Sequence, residues 1–312
     1  MASEITTHTT RQTRTVETTC GPIRVRDTGG TGTPLLLIHA LLVNGELYSE
    51  LVPLLTAQGH RCLVPELPLG AHTLPMKADA DLTPPGLARL IIEVLDALGV
   101  EQVDLVGVDT GGALSQLLMA HHRERVGKVV LTGCDAYEAF PPRSFKFLVA
   151  PLKVPGALWL MAQGARLRPI RKLGTPRPVT HAGVADEVLR RWTAPLHNRA
   201  IRRDLRKVLV GVHPRYTLAA AEANKDFPNP VLIAWGDDAR LFPRHLAERL
   251  VADLPHARLT TLKDCAAFAA LDQPVRLAEL IHEHVSADAA GRPNVMPAPS
   301  TAERRMTNES LR

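Results

Sequence analysis

The chain has 312 residues and a mass of 34.0 kDa, with 45% hydrophobic and 22% charged residues and a net charge of +5. That balance suits a soluble globular protein with a sizeable core and excludes collagenous, disulfide-dense and wholly disordered classes. No apolar run reaches the roughly 18–20 residues of a membrane span. The basic residues do not form one long tract, so neither a nucleic-acid nor a membrane partner is expected. Aromatic residues make up only 4%, which leaves Leu, Val, Ala and Ile to build the core.

The N-terminal residues 1–12 are polar and lack the apolar stretch of a signal peptide, and they are expected to form a flexible tail. Alternation from Arg14 to Arg26 predicts a strand pair turning at Cys20-Gly21-Pro22. Asp27-Thr28-Gly29-Gly30-Thr31-Gly32 is a turn cluster with no phosphate-loop lysine. Pro34-Leu35-Leu36-Leu37-Ile38 reads as a strand buried on both faces. A helix over Tyr48–Gln58 and a strand over Arg61–Val64 follow. Thr83–Leu98 has helical spacing, with Pro84 and Pro85 in the first turn. Strands are predicted at Val103–Gly107, Val126–Thr132, Pro230–Trp235 and Arg258–Leu262, with helices at Gly111–Met119, Pro243–Leu254 and Val275–His284. This alternation predicts an α/β protein with a mostly parallel sheet covered on both faces. The pattern breaks over 141–229, where the spacing is helical and no strand is evident. The expected organisation is a core of residues 13–140 and 230–285, a helical cap over 141–229, and a disordered tail over 286–312. Cys20, Cys62, Cys134 and Cys265 are scattered and form no C-x-x-C pair, which gives no zinc or redox motif and fits a cytoplasmic location.

The most informative stretch is Gly107-Val108-Asp109-Thr110-Gly111, at a strand-to-helix junction. Flanking glycines permit a sharp turn that lifts the central side chain above the sheet, and the next N–H opens a helix and can face an anion. Read without its surroundings, the same stretch is a Gly-rich turn with Asp109 as a helix N-cap.

Those surroundings resemble the α/β-hydrolase superfamily over residues 14–284. Leu37-Ile38-His39-Ala40-Leu41 is similar to the strand and turn that supplies the second oxyanion N–H. Val231–Asp238 resembles the strand before the acid loop, and Asp264–Pro274 resembles the terminal segment that carries the histidine. Aspartate at the elbow is similar to the haloalkane dehalogenase and epoxide hydrolase branch. The resemblance implies an α/β-hydrolase fold, Asp109 as catalytic carboxylate, and oxyanion N–H groups from Leu41 and Thr110. In that branch the aspartate attacks carbon and a histidine then activates water.

The chain departs from this pattern at chemically decisive places. Ala267 stands where the histidine is expected and Ala239 where the acid is expected. Thr110 and Leu41 stand where dehalogenases place a halide-binding Trp and Asn, and the 141–229 insertion contains Tyr216 as its one tyrosine. Auxiliary candidates are His39, His72, Asp135 and Asp238. His181, His197 and His213 lie in the insertion, and His121-His122 follows the elbow helix. Trp159 and Trp192 read as core, and Arg202-Arg203-x-x-Arg206-Lys207 as a solvated helix face. Three functions remain open: a small-molecule hydrolase with a degenerate triad, a non-hydrolytic acid/base catalyst such as a cyclase, isomerase or lyase, and a non-catalytic ligand-binding protein. The expected ligand is a small apolar organic molecule, with no cofactor and no metal.

Overall fold

The computed structural model describes residues 12–287, apart from 144, 147–149, 155 and 174–178. The two expected tails therefore fall almost wholly outside the described residues. The first half contains β1 (Gln12–Thr18), β2 (Gly21–Asp27), β3 (Leu35–Ile38), α1 (Leu51–Ala57), β4 (Cys62–Pro65) and α2 (Pro84–Ala97). β5 (Val103–Asp109), α3 (Thr110–His121) and β6 (Val126–Cys134) follow. The insertion holds α4 (Ala157–Gly164), α5 (Arg168–Leu173), α6 (Asp186–Thr193), α7 (Arg199–Gly211) and α8 (Pro214–Ala223). The chain then returns through β7 (Val231–Gly236), α9 (Arg244–Asp253), β8 (Ala257–Leu262), α10 (Ala269–Asp272) and α11 (Pro274–Ser286).

These strands form one eight-stranded sheet in the order β1-β2-β4-β3-β5-β6-β7-β8. β1 and β2 run antiparallel to each other, and β2 antiparallel to β4; the remaining pairs are parallel. β3, β4, β6 and β7 are buried along their whole length, as continuous apolar runs require when helices cover both faces. Local chemistry sets the element ends. The Thr83 hydroxyl accepts from the Gly86 N–H at 3.3 Å and caps α2, whose first residue is a proline.

The sheet order reverses about β3, and β5 and β6 carry their C-terminal ends to the place where ligands gather in such sheets. The end of α7 lies over this place, where Leu209 and the following Val212 line a small cavity together with Asp109. α6 is tied to the core by Trp192, whose indole N–H donates to Asn44 Oδ1 at 3.0 Å, and by the Arg191–Glu46 ion pair at 2.8 Å. α8 is seated differently: it packs on α3, and the adjoining Asn224 donates to the Gln116 carbonyl at 3.0 Å. The last helix of the 141–229 interval thus lies against the core.

Candidate active site

β5 ends at Asp109 with φ +53° and ψ −127°, a left-handed backbone that a non-glycine residue adopts at a cost of order 1–3 kcal/mol. The turn is possible because its neighbours have no Cβ. A Cβ on Gly107 would lie 2.4 Å from Ser115 Oγ, and one on Gly111 would lie 2.1 Å from the Ile38 carbonyl oxygen. α3 therefore starts pressed against β3, and that closeness brings two backbone donors together. Asp109 Oδ1 accepts from the Thr110 N–H at 2.6 Å and from the Leu41 N–H at 3.3 Å. The two N–H groups expected to form an anion pocket thus hold an oxygen of the aspartate itself. Oδ2 stays outside that pair.

Asp135, just beyond β6, is the second carboxyl of the site. Its Oδ2 accepts from the Thr110 hydroxyl at 3.2 Å, its own N–H donates to the Asp109 carbonyl at 3.3 Å, and its carbonyl accepts from Gln116 Nε2 at 2.8 Å. Oδ1 is buried with no hydrogen-bond partner among the described residues. Burial pushes the Asp109 carboxyl above its usual range, against the two N–H bonds and the Thr110 hydroxyl, which pull it down. Burial and then the charge of Asp109 push Asp135 up much further. The Cys134 thiol below them is also held protonated, by burial and by both carboxylates.

The space above the two carboxyls is small. A cavity of about 10 Å³, room for one water, is bounded by Leu41, Phe140, Pro141, Phe145, Leu209 and Val212, among others. Its wall is apolar, and no histidine lines it among the described residues. The Phe140–Pro142 segment and the end of α7 are the parts of the site that sequence reasoning missed. Their only signal is an aromatic residue followed by two prolines just after a strand.

The other candidates lie elsewhere. His39 is wholly buried: its Nδ1 donates to the Ala40 carbonyl at 2.9 Å and its Nε2 accepts from the Leu67 N–H at 3.0 Å. Both ring nitrogens are spent on backbone, and burial lowers its pKa to about 4, so it is a neutral brace beneath the Leu41 loop. His72 also turns away from Asp109, with Nδ1 accepting from the Gly70 N–H at 3.3 Å and Nε2 lying 3.5 Å from Asp204 Oδ2 on α7. Asp238 is on the surface, paired with His181 at 3.0 Å and Arg240 at 2.8 Å. Its His181 partner is half-exposed, and that hydrogen bond raises the imidazole pKa. The auxiliary roles considered for His39, His72 and Asp238 are therefore not supported by their placement. Ala239 and Ala267 are buried, and neither lines the cavity. His197 and His213 are exposed, and the latter caps α8 by accepting from the Arg215 N–H. Among the described residues no group of three or more His, Cys, Asp or Glu side chains could hold a metal ion.

Asp204 is the anchor that keeps α7 over the site. It is fully buried and accepts from the Met76 N–H at 2.8 Å and from Arg203 at 2.8 Å, besides its contact with His72. Asp204→Ala leaves the Met76 N–H and Arg203 without their acceptor and is expected to cost about 3 kcal/mol. Hydrogen exchange should rise in residues 66–76 and 199–211 before the rest of the chain; uniform exchange would show that the anchor is not local.

An alpha/beta hydrolase fold family matches residues 33–162. Haloalkane dehalogenase 2 of Mycobacterium tuberculosis is 26% identical over 260 residues, 81% of this chain and 88% of that protein. The 2-hydroxymuconate semialdehyde hydrolase of Pseudomonas sp. strain CF600 is 28% identical over 272 residues, 84% of this chain and 90% of that protein. The crystal structure of a haloalkane dehalogenase loop variant from Bradyrhizobium elkanii superposes with a TM-score of 0.73 at 17% identity, covering 89% of this chain and 99% of that one. With its strand order and elbow turn, the chain has the α/β-hydrolase fold and is similar in sequence to a haloalkane dehalogenase and a 2-hydroxymuconate semialdehyde hydrolase.

Proposed function

We propose that this protein is a small-molecule enzyme of hydrolase ancestry that works by carboxylate acid/base chemistry, with Asp109 as base and protonated Asp135 as acid. The observation that carries this reading is the pairing of two buried carboxyls across Thr110, with no histidine beside them among the described residues. One carboxylate is stabilised by two backbone N–H groups; the other is strongly desolvated, with one oxygen unpartnered. Neighbouring groups whose environments set them apart in this way supply a base and an acid at one pH. The apolar wall favours an apolar substrate undergoing isomerisation, elimination or ring closure. A substrate larger than a water enters only when the Phe140–Pro142 segment and the end of α7 separate.

A second reading rests on one further observation. With Oδ1 already in the N–H pair, Oδ2 is the oxygen left to attack carbon. Attack would form an ester whose carbonyl oxygen is Oδ1 and would expel a halide or open an epoxide. With Ala267 in place of a histidine, no histidine among the described residues lines the cavity to direct water at that ester.

Intact-mass analysis after incubation with alkyl halides and epoxides separates the readings. Under the acid/base reading the mass is unchanged, while proton exchange or isomerisation is detected in a panel of apolar carbonyl and olefin substrates. A stable adduct mapping to Asp109 would replace that reading with the nucleophilic one. Neither adduct nor turnover, with ligand binding retained in Asp109→Asn, would identify a binding protein.

A further inference from the structure

The charge of the chain is divided very unevenly. Residues 141–229 carry seventeen Lys and Arg against five Asp and Glu, whereas the remainder carries twenty against twenty-seven. Within that insertion, residues 141–185 contain eight basic residues and no acidic one. The modest total of +5 conceals a cationic cap on an anionic body.

The same region exposes its apolar residues. Of the eight large hydrophobic side chains exposed among the described residues, six lie between positions 154 and 210: Val154, Trp159, Leu160, Leu167, Ile170 and Val210. Trp159 is 53% and Leu160 67% exposed. Val154, Trp159 and Val210 share a groove of about 1070 Å³ between α4 and α7 with basic residues of α7. Trp159, Val154 and Val210 supply its apolar side, and Arg199, Arg202 and Arg206 its charged side. Two of the cations beside it bond neutral carbonyls: Arg202 donates to the Leu196 and His197 carbonyls, and Lys207 to those of Ala78 and Ala80. His197 reports the resulting field. Burial and then the charges of Arg166 and Arg202 hold its pKa below the ordinary value. The acids nearby are already engaged: Asp204 of α7 is buried and paired with Arg203, and Asp186 and Glu187 are paired with arginines of the same insertion.

We propose that this outer face of the cap docks on an anionic phospholipid surface, with Trp159 and its apolar neighbours at the headgroup boundary and the arginines on lipid phosphates. A groove that combines exposed Trp159, Val154 and Val210 with Arg and Lys, and is lined by no acidic side chain among the described residues, is complementary to an acidic membrane interface. No helix among the described residues is long and apolar enough to cross a membrane, so the contact is peripheral. The expectation of no membrane partner followed from the missing spanning run and from the summed charge, and neither tests a surface contact. The proposal does not depend on the chemistry of Asp109.

Co-sedimentation of the full chain with vesicles tests it. The protein should pellet with vesicles containing phosphatidylglycerol, not with pure phosphatidylcholine, and added salt should release it. Trp192 and Trp235 are buried, so a blue shift of emission on binding reports Trp159 and should vanish in Trp159→Ala. Arg166 and Arg199 are exposed, and their double replacement, Arg166→Glu with Arg199→Glu, should weaken partitioning about thirty-fold or more with unchanged thermal stability. Equal binding to neutral vesicles, no binding to either kind, or an unaffected double variant overturns the proposal. So does retention of a DNA duplex, or self-association between cap and body, in place of vesicle binding.

Discussion

Gly111→Ala is expected to destabilise the fold by more than about 3 kcal/mol. Two effects of opposite sign compete at this position. Gly111 lies in the first turn of α3, and alanine there would gain up to about 1 kcal/mol of helix propensity. The added Cβ, however, would lie 2.1 Å from the Ile38 carbonyl oxygen and 2.8 Å from that of His39. Both obstacles are backbone, at the end of a fully buried strand that is paired in register with β5, so neither can rotate away. Relief would require α3 to move off β3, and that movement separates the Thr110 and Leu41 N–H groups that converge on Asp109. The loss is large beside a typical total stability of about 5–15 kcal/mol. Urea denaturation followed by circular dichroism gives the value. A midpoint at or above that of the parent protein would mean that helix and strand are not in the contact described.

The elbow could be read from sequence because its chemistry is local. Gly107, Asp109 and Gly111 lie within five residues, and the apolar runs of β3, β5 and β6 have no other way to be buried than as central strands. Leu41 was legible by resemblance, since its N–H acts through the turn after β3. What escaped reading depends on residues far apart in the chain. Asp204 sits in an arginine-rich helix that reads as a solvated face, yet it is fully buried because the Met76 N–H, 128 positions away, and His72 converge on it. Asp135 was legible only as one auxiliary candidate among four. Its significance comes from the parallel neighbour relation of β5 and β6, which sets it beside Thr110. The cationic character of residues 141–229 was hidden for another reason: a summed charge discards position, and the opposite excess in the rest of the chain cancelled most of it.

Asp109→Asn should lower turnover about a thousand-fold or more, within the 10²–10⁴ range of a general acid or base. The amide keeps the shape of the side chain, and its oxygen can still accept from the Thr110 and Leu41 N–H groups, so the fold should persist while the base is lost. Asp135→Asn is the more discriminating variant. The proposed acid/base mechanism requires Asp109 ionised and Asp135 protonated, so the rate should fall on the acid side through the raised pKa of Asp109 and on the alkaline side through the higher one of Asp135. Because the two carboxyls interact, the profile reports the pair and not either residue alone. Removing the Asp135 charge should abolish the alkaline limb. The stability effect has the opposite sign. A carboxyl whose pKa is raised in the folded state contributes stability that is fully present below the unfolded value of about 4 and is lost as pH rises through the folded value. Asp135 therefore weighs against the fold at alkaline pH, and Asp135→Asn should raise the melting temperature more at pH 8 than at pH 4. A buried acid kept against stability is what a working site requires. An equal shift at both pH values would show that Asp135 is not desolvated as described, and an alkaline limb that survives in the variant would take the acid role away from it.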